Sequence, residues 1–197
     1  MMVIPTSRNR RICVFAGSSL GAKVDYAVAA KSLGRSLVFR DMAVVYGGGD
    51  IGLMGILAES VLAEGGEIVG VIPQALLNRD VGHEFLTELR VVSSMHERKE
   101  QMSEMADGFI VLPGGLGTLE EFFEIVTWAQ LGIHHKPVGL MNVGGYYDRL
   151  LEFLDVAVFE KFIELTNRNM VLVEEHAEAL LDRLEQYIPP AVEEWKG

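Results

Sequence analysis

A proline, three glycines, a threonine and two carboxylates stand together in Pro113-Gly114-Gly115-Leu116-Gly117-Thr118-Leu119-Glu120-Glu121, directly after the apolar run Gly108-Phe109-Ile110-Val111-Leu112. A strand, a glycine turn and a helix start in this order can hold a phosphate. Glycines let backbone N–H groups approach an anion without interference from Cβ, and a helix N-terminus adds unpaired donors and the positive end of its dipole. An acid beside that phosphate points to chemistry rather than binding alone. The same spacing also has a purely structural explanation, because Thr118 followed three residues later by Glu121 is a capping box: Thr118 would cap the helix and Glu121 would reach back to the Thr118 N–H.

Two further glycine turns follow apolar runs, Gly17-Ser18-Ser19 and Gly47-Gly48-Gly49. One such turn is weak, since a tight strand-to-helix connection often needs glycine for its backbone alone, but three after strands and before helices point to a common anion-binding rim. Gly47 to Gly52 matches G-x-G-x-x-G, the dinucleotide fingerprint, yet the next strand ends Val71-Ile72-Pro73-Gln74 without the acidic residue that would hold the ribose hydroxyls. NAD is therefore only a minor alternative. The segment Met95-His96-Glu97-Arg98-Lys99-Glu100 also opens a helix after a strand. It is either a solvated charged face or a source of two cations for the phosphate or sugar of a nucleotide, Arg98 as a planar fork and Lys99 as a point charge.

Positioning these groups falls to alternating short β-branched runs and helix-length amphipathic segments, the pattern of a parallel sheet covered by helices. The sequence predicts strands near Arg11–Ala16, Ala43–Tyr46, Glu67–Ile72, Glu88–Val92, Gly108–Leu112, Val138–Met141 and Met170–Val173. Helices are predicted near Val24–Arg40, Leu53–Glu64, Met95–Met105, Leu119–Leu131, Tyr146–Phe153 and Glu175–Tyr187. The fold class is α/β: a doubly wound, Rossmann-like parallel sheet of about seven strands with helices on both faces. Ligands in such sheets bind at the carboxyl ends of the strands. No linker-like stretch divides the 197 residues, so one domain is expected, with residues 1–10 and 189–197 as flexible tails.

Composition excludes several function classes. A formal charge of −11 leaves no basic stripe for a nucleic-acid polymer. No apolar run approaches the ~20 residues of a membrane span, and Met1-Met2-Val3-Ile4-Pro5 lacks a signal-peptide core, so a cytoplasmic address is expected. The single cysteine, Cys13, lies in Ile12-Cys13-Val14-Phe15 and reads as a buried hydrophobe. His83, His96, His134 and His135 show no metal-ligand spacing, so no metal is expected. Phe122, Phe123, Ile125, Val126, Trp128 and Leu131 make the helix after the third glycine turn apolar on nearly every side, which suggests one face on the sheet and another on a partner subunit.

P-G-G-x-G-T-x-x-E at Pro113 to Glu121, joined to the upstream Arg98-Lys99, resembles the LONELY GUY family of cytokinin riboside 5′-monophosphate phosphoribohydrolases. Similar stretches are Val14 to Ser19, Val45 to Gly55 and Trp128 to Pro137, so the likeness covers nearly the whole chain. The resemblance implies hydrolysis of the N-glycosidic bond of a purine nucleoside 5′-monophosphate, AMP or an N6-modified relative, without a cofactor. It makes Arg98 and Glu121 the catalytic residues. Substrate binding falls to Gly17, Ser18, Ser19, Gly47, Gly48, Gly49, Asp80, Met95, Lys99, Pro113, Gly114, Gly115, Leu116, Gly117, Thr118 and Glu120, and the protein to a homodimer or an assembly of dimers. Two positions depart from the family's pattern: Ala16 stands where many relatives have cysteine, and Asp80 where a pocket glutamate is usual. The residues support the reaction independently, because a carboxylate such as Glu121 stabilises the oxocarbenium-like charge on ribose C1′ while orienting water. Sequences of this kind also carry the label lysine decarboxylase, which would need a pyridoxal phosphate lysine that cannot be picked out here. A non-catalytic nucleotide or molybdenum-cofactor carrier is the remaining alternative.

Overall fold

Seven strands form one fully parallel sheet in a computed structural model that describes residues 10–77 and 86–190. Asp80, His83 and the expected tails up to residue 9 and from 191 lie outside the described residues. The strands are β1 (Arg11–Phe15), β2 (Ala43–Tyr46), β3 (Ile68–Pro73), β4 (Glu88–Val92), β5 (Gly108–Val111), β6 (Val138–Met141) and β7 (Val171–Glu174). Among the described residues, eight α-helices connect or follow them: α1 (Val24–Phe39), α2 (Gly52–Ala63), α3 (Gln74–Leu77), α4 (Met95–Met105), α5 (Leu116–Gln130), α6 (Asp148–Phe159), α7 (Leu165–Arg168) and α8 (Ala177–Glu185).

Period-two alternation sends successive strand residues to opposite faces, and both faces are covered. Val14, Val44 and Ile110 pack in one core with Leu33 and Leu37 of α1, Leu57 and Val61 of α2, and Leu180 and Leu184 of α8. Their neighbours Cys13, Val45 and Phe109 pack in the other with Met102 of α4 and Phe122 and Ile125 of α5. Apolar strands follow from this double burial. β4 is the exception: it lies at the sheet's edge and leaves Glu88, Leu89 and Val91 exposed.

The strand order is β4-β3-β2-β1-β5-β6-β7. The chain winds outward from β1 to β4 and then crosses back to place β5 against β1's other side, pairing Phe15 with Val111. The topological switch point therefore lies between the ends of β1 and β5, where the first and third glycine turns emerge.

Four predicted helix starts are corrected: α2 opens at Gly52 rather than Leu53, α8 at Ala177 rather than Glu175, and α5 and α6 as follows. α5 begins at Leu116 rather than Leu119, because the Leu119 N–H already bonds to the Gly115 carbonyl at 3.0 Å. Gly115 is the cap residue, Thr118 lies inside the first turn, and Glu121 is bonded elsewhere, so the capping box does not form. α6 starts at Asp148 and runs on to Phe159; the Gly144-Gly145 pair before it adopts φ of 55° and 73°, a left-handed turn that glycine enters without penalty.

Candidate active site

The three glycine turns meet. The Gly17 N–H donates to the Pro113 carbonyl at 3.1 Å, joining the first turn to the third, and the Gly17 carbonyl accepts from the Leu53 N–H at 2.9 Å, joining it to the second turn's helix. These bonds close one side of a cleft of about 250 Å³ lined by Gly17, Ser18, Ser19, Pro113, Gly114 and Gly115, with Leu20, Gly21, Tyr26, Leu53 and Tyr146 completing the wall.

The two glycine-opened helices differ in what their N-termini offer. The α2 start is occupied, since the Leu53 and Met54 N–H groups both point at the Gly17 carbonyl, at 2.9 and 3.4 Å. The fingerprint Gly47–Gly52 thus builds a turn-to-turn joint instead of a pyrophosphate seat. No side chain caps α5, whose first-turn donors at Leu116, Gly117 and Thr118 precede the first intrahelical bond. Gly114 has a packing reason as well: a Cβ there would overlap the Thr118 side chain.

A buried ion pair joins α4 to α5. Arg98, from the first turn of α4, donates through Nη1 to Glu121 Oε1 at 2.9 Å and through Nε to the Val71 carbonyl at 3.1 Å. Its Nη2 lies against Gly47, where any Cβ would collide with the guanidinium. Glycine at 47 therefore leaves room for the Arg98 guanidinium beside the second turn. Only 12% of the Arg98 and 10% of the Glu121 side chain is exposed, which overturns the solvated-face explanation for Arg98. Burial pushes the Glu121 carboxyl above the usual carboxylate range, while the Arg98 charge pulls the other way and Glu120 adds to the rise.

Lys99 points to different partners. Its ammonium donates to Glu120 at 2.7 Å and to Glu124 at 2.9 Å, so it fastens α4 to α5 one position along from the Arg98–Glu121 pair. Met95 is the first residue of α4 and is exposed, whereas Ser94 caps that helix by accepting from the Glu97 N–H at 3.1 Å. His134 is a packing histidine: Lys136 N–H donates to its Nδ1, which leaves Nε2–H to donate to the Ile125 carbonyl at 2.9 Å, and burial holds the ring neutral by lowering its pKa. Cys13 is wholly buried and its thiol is raised well above the ordinary range by that burial.

Tyr26 and Tyr146 in the cleft wall escaped the sequence reading. Tyr146 has one sequence signal, the Gly-Gly pair ahead of Tyr146-Tyr147 after a strand, whereas Tyr26 reads as an ordinary residue of α1.

Residues 54–184 match the family model described as possible lysine decarboxylase. The chain is 51% identical to an Arabidopsis thaliana cytokinin riboside 5′-monophosphate phosphoribohydrolase, covering 93% of this chain and 86% of that protein. An Oryza sativa subsp. japonica protein of the same name is 52% identical, over 93% of this chain and 76% of its own. Among solved structures, a molybdenum cofactor binding protein from Rippkaea orientalis superposes with a TM-score of 0.68 at 19% identity, covering 92% of this chain and 98% of that one. The molybdenum cofactor carrier protein of Chlamydomonas reinhardtii gives 0.66 at 17%, over 91% and 98%. At those identities the two carriers share the fold alone. Pyridoxal phosphate chemistry needs a lysine free to form a Schiff base, and Lys99, clamped between two carboxylates beside the ion pair, does not fit that role. With half its residues identical over nearly its whole length, the chain belongs to the LONELY GUY family of cytokinin riboside 5′-monophosphate phosphoribohydrolases.

Proposed function

We propose that the protein hydrolyses the N-glycosidic bond of purine nucleoside 5′-monophosphates, AMP or its N6-modified relatives, to the free base and ribose 5-phosphate. The observation that carries this reading is the buried Arg98–Glu121 pair beside an uncapped glycine-opened helix start. The 5′-phosphate sits on the α5 N-terminus and the Gly17 and Gly114 turns, with Thr118 and Ser19 among its donors. That contact is remote from the reacting bond and its binding energy orients the sugar, which makes a nucleotide a better substrate than a nucleoside.

At the reacting end, the C1′–N9 bond breaks with its electron pair leaving on the purine, and positive charge builds on C1′ and the ring oxygen. Arg98 engages Glu121 Oε1, which leaves Oε2 to orient water and face that charge. Water adds to C1′, its proton passes to the carboxylate, and the carboxylate returns that proton through solvent to the departing base, so that one water is consumed for each base released and Glu121 is restored. Glu120, steadied at one oxygen by Lys99, receives a ribose hydroxyl.

The purified protein should release adenine from AMP and a modified purine from N6-substituted AMP. Binding of AMP without turnover would instead favour a carrier. A second copy is expected against α5, whose Phe122 and Ile125 are spent on the sheet while Phe123, Leu131 and the following Ile133 remain exposed. Sedimentation equilibrium should therefore give at least twice the chain mass of 21.7 kDa, and a single species at that mass would reject the assembly.

A further inference from the structure

Four successive carbonyls of the third glycine turn each receive a donor from the protein. The Leu112 carbonyl accepts from the Tyr147 hydroxyl at 2.7 Å, Pro113 from the Gly17 N–H at 3.1 Å, Gly114 from the Tyr146 hydroxyl at 2.6 Å, and Gly115 from the Leu119 N–H at 3.0 Å. In a trans peptide the carbonyl and the following N–H point in opposite directions, so a bond that fixes one fixes the other. Pinning this row of oxygens sets the directions of the N–H groups of Pro113's successors, Gly114, Gly115 and Leu116.

Three of the four pins are backbone or fully buried: Tyr147 is 2% exposed and belongs to the core. Tyr146 differs. It is 43% exposed, lines the cleft itself, and stands edge-on between Tyr26 at 5.6 Å and Tyr147 at 4.8 Å. Nothing in core packing requires its hydroxyl. Gly114 and Gly115 have the widest backbone freedom of any residue pair, so the peptide between them needs an external constraint to hold one rotation.

We infer that Tyr146 is a positioning residue for phosphate recognition: its hydroxyl locks the Gly114–Gly115 peptide so that the Gly115 N–H is pre-aimed at the 5′-phosphate. The inference rests on the nucleotide reading of this cleft. It assigns the Tyr146 ring to the wall and the Tyr146 hydroxyl to the loop.

Tyr146→Phe and Tyr146→Ala test it in the full chain, with AMP kinetics and with calorimetric binding of ribose 5-phosphate. Losing one neutral hydrogen bond that orders a donor should raise the AMP KM and the ribose 5-phosphate Kd together by about 3- to 10-fold in Tyr146→Phe, while kcat stays within about twofold. Phenylalanine keeps the ring, so a role in packing alone predicts that it restores wild-type behaviour relative to alanine. Wild-type KM and Kd in Tyr146→Phe would overturn the inference, and so would a fall in kcat at unchanged KM. A wild-type protein that neither binds ribose 5-phosphate nor cleaves AMP would remove the nucleotide reading and this inference with it, which separates the two failures.

Discussion

Glu121→Gln keeps the shape of the side chain and removes its charge, so it isolates the electrostatic contribution of the carboxylate. A carboxylate about 4 Å from a unit positive charge gains about 4 kcal/mol at an effective dielectric of ~20, against about 1 kcal/mol in water. Glu121 is 8% exposed, which places it in the first regime. The charge on the ribosyl carbon is partial and Arg98 opposes it from 2.9 Å on the other oxygen, so about 3 kcal/mol is a fair share, or roughly 10²-fold in kcat. The folding cost should be moderate: the amide oxygen can still accept from Arg98, and Arg98 keeps its bond to Val71, but the Arg98 charge then lies buried without its counter-charge. We expect a stability loss of about 1–3 kcal/mol, less than for removal of Arg98 because the amide still fills the site and accepts its hydrogen bond. Adenine release at saturating AMP, followed by chromatography beside a thermal melt, reads both quantities. The wild-type kcat/KM should fall with acid as Glu121 takes up its proton, at a pH above the ordinary carboxylate range because burial raises that carboxyl, and the residual Glu121→Gln activity should not show that limb. Turnover within tenfold of wild type, or an activity loss matched by an equal loss of fold, would refute the reasoning.

Arg98→Ala should cost at least about 10²-fold in turnover and about 2–4 kcal/mol in stability, since it leaves the Glu121 carboxylate buried without its partner; near-normal kinetics would remove Arg98 from the machinery. His134 is held neutral, so its unfolded form binds the proton first: stability from this residue is fully present above about pH 6.5 and is lost as pH falls below it. Urea midpoints at pH 7.5 and 5.5 should converge in His134→Gln, and an unchanged difference would count against the assignment. Cys13, wholly buried with its thiol raised, should stay unmodified by an aromatic disulfide reagent in the native protein and react fully once denatured; native reactivity would show that its core opens.

The fold is legible because the inner strands are buried on both faces and so read as plain apolar runs, while the edge strand β4 is marked instead by its β-branched pair Val91-Val92, and because parallel strands need crossover connections. Strand ends moved by a residue at most, from Glu67 to Ile68 at the start of β3 for example. The short helices α3 and α7 were not legible, since four residues carry no periodicity. At the site, residue type and place single out Arg98 and Glu121 as candidates, but nothing in the order of residues says that the two pair with each other, that Gly47 makes room for one, or that Lys99 bonds to Glu120 and Glu124. The capping box failed for a definite reason: Gly115 can cap with its backbone alone, so the helix starts a turn's length early and Glu121 is released to Arg98. The tyrosine wall was missed because its reach depends on two left-handed glycines 30 residues downstream of the loop it touches.

The contact between Gly47 and the Arg98 guanidinium restricts the order in which this chain could change over generations. An alanine at 47 is a minimal substitution, yet it would displace Arg98, and with it the partner of Glu121, so its cost should be felt at a residue 51 positions away. Shortening Arg98 first would open the space in which that alanine fits, but only in a chain that has already surrendered the ion pair. Neither single step is neutral, and the pair of steps should cost less than their sum. The coupling between positions 47 and 98 should therefore show as non-additivity in a double-mutant cycle, with Gly47→Ala costing more beside Arg98 than beside an alanine there.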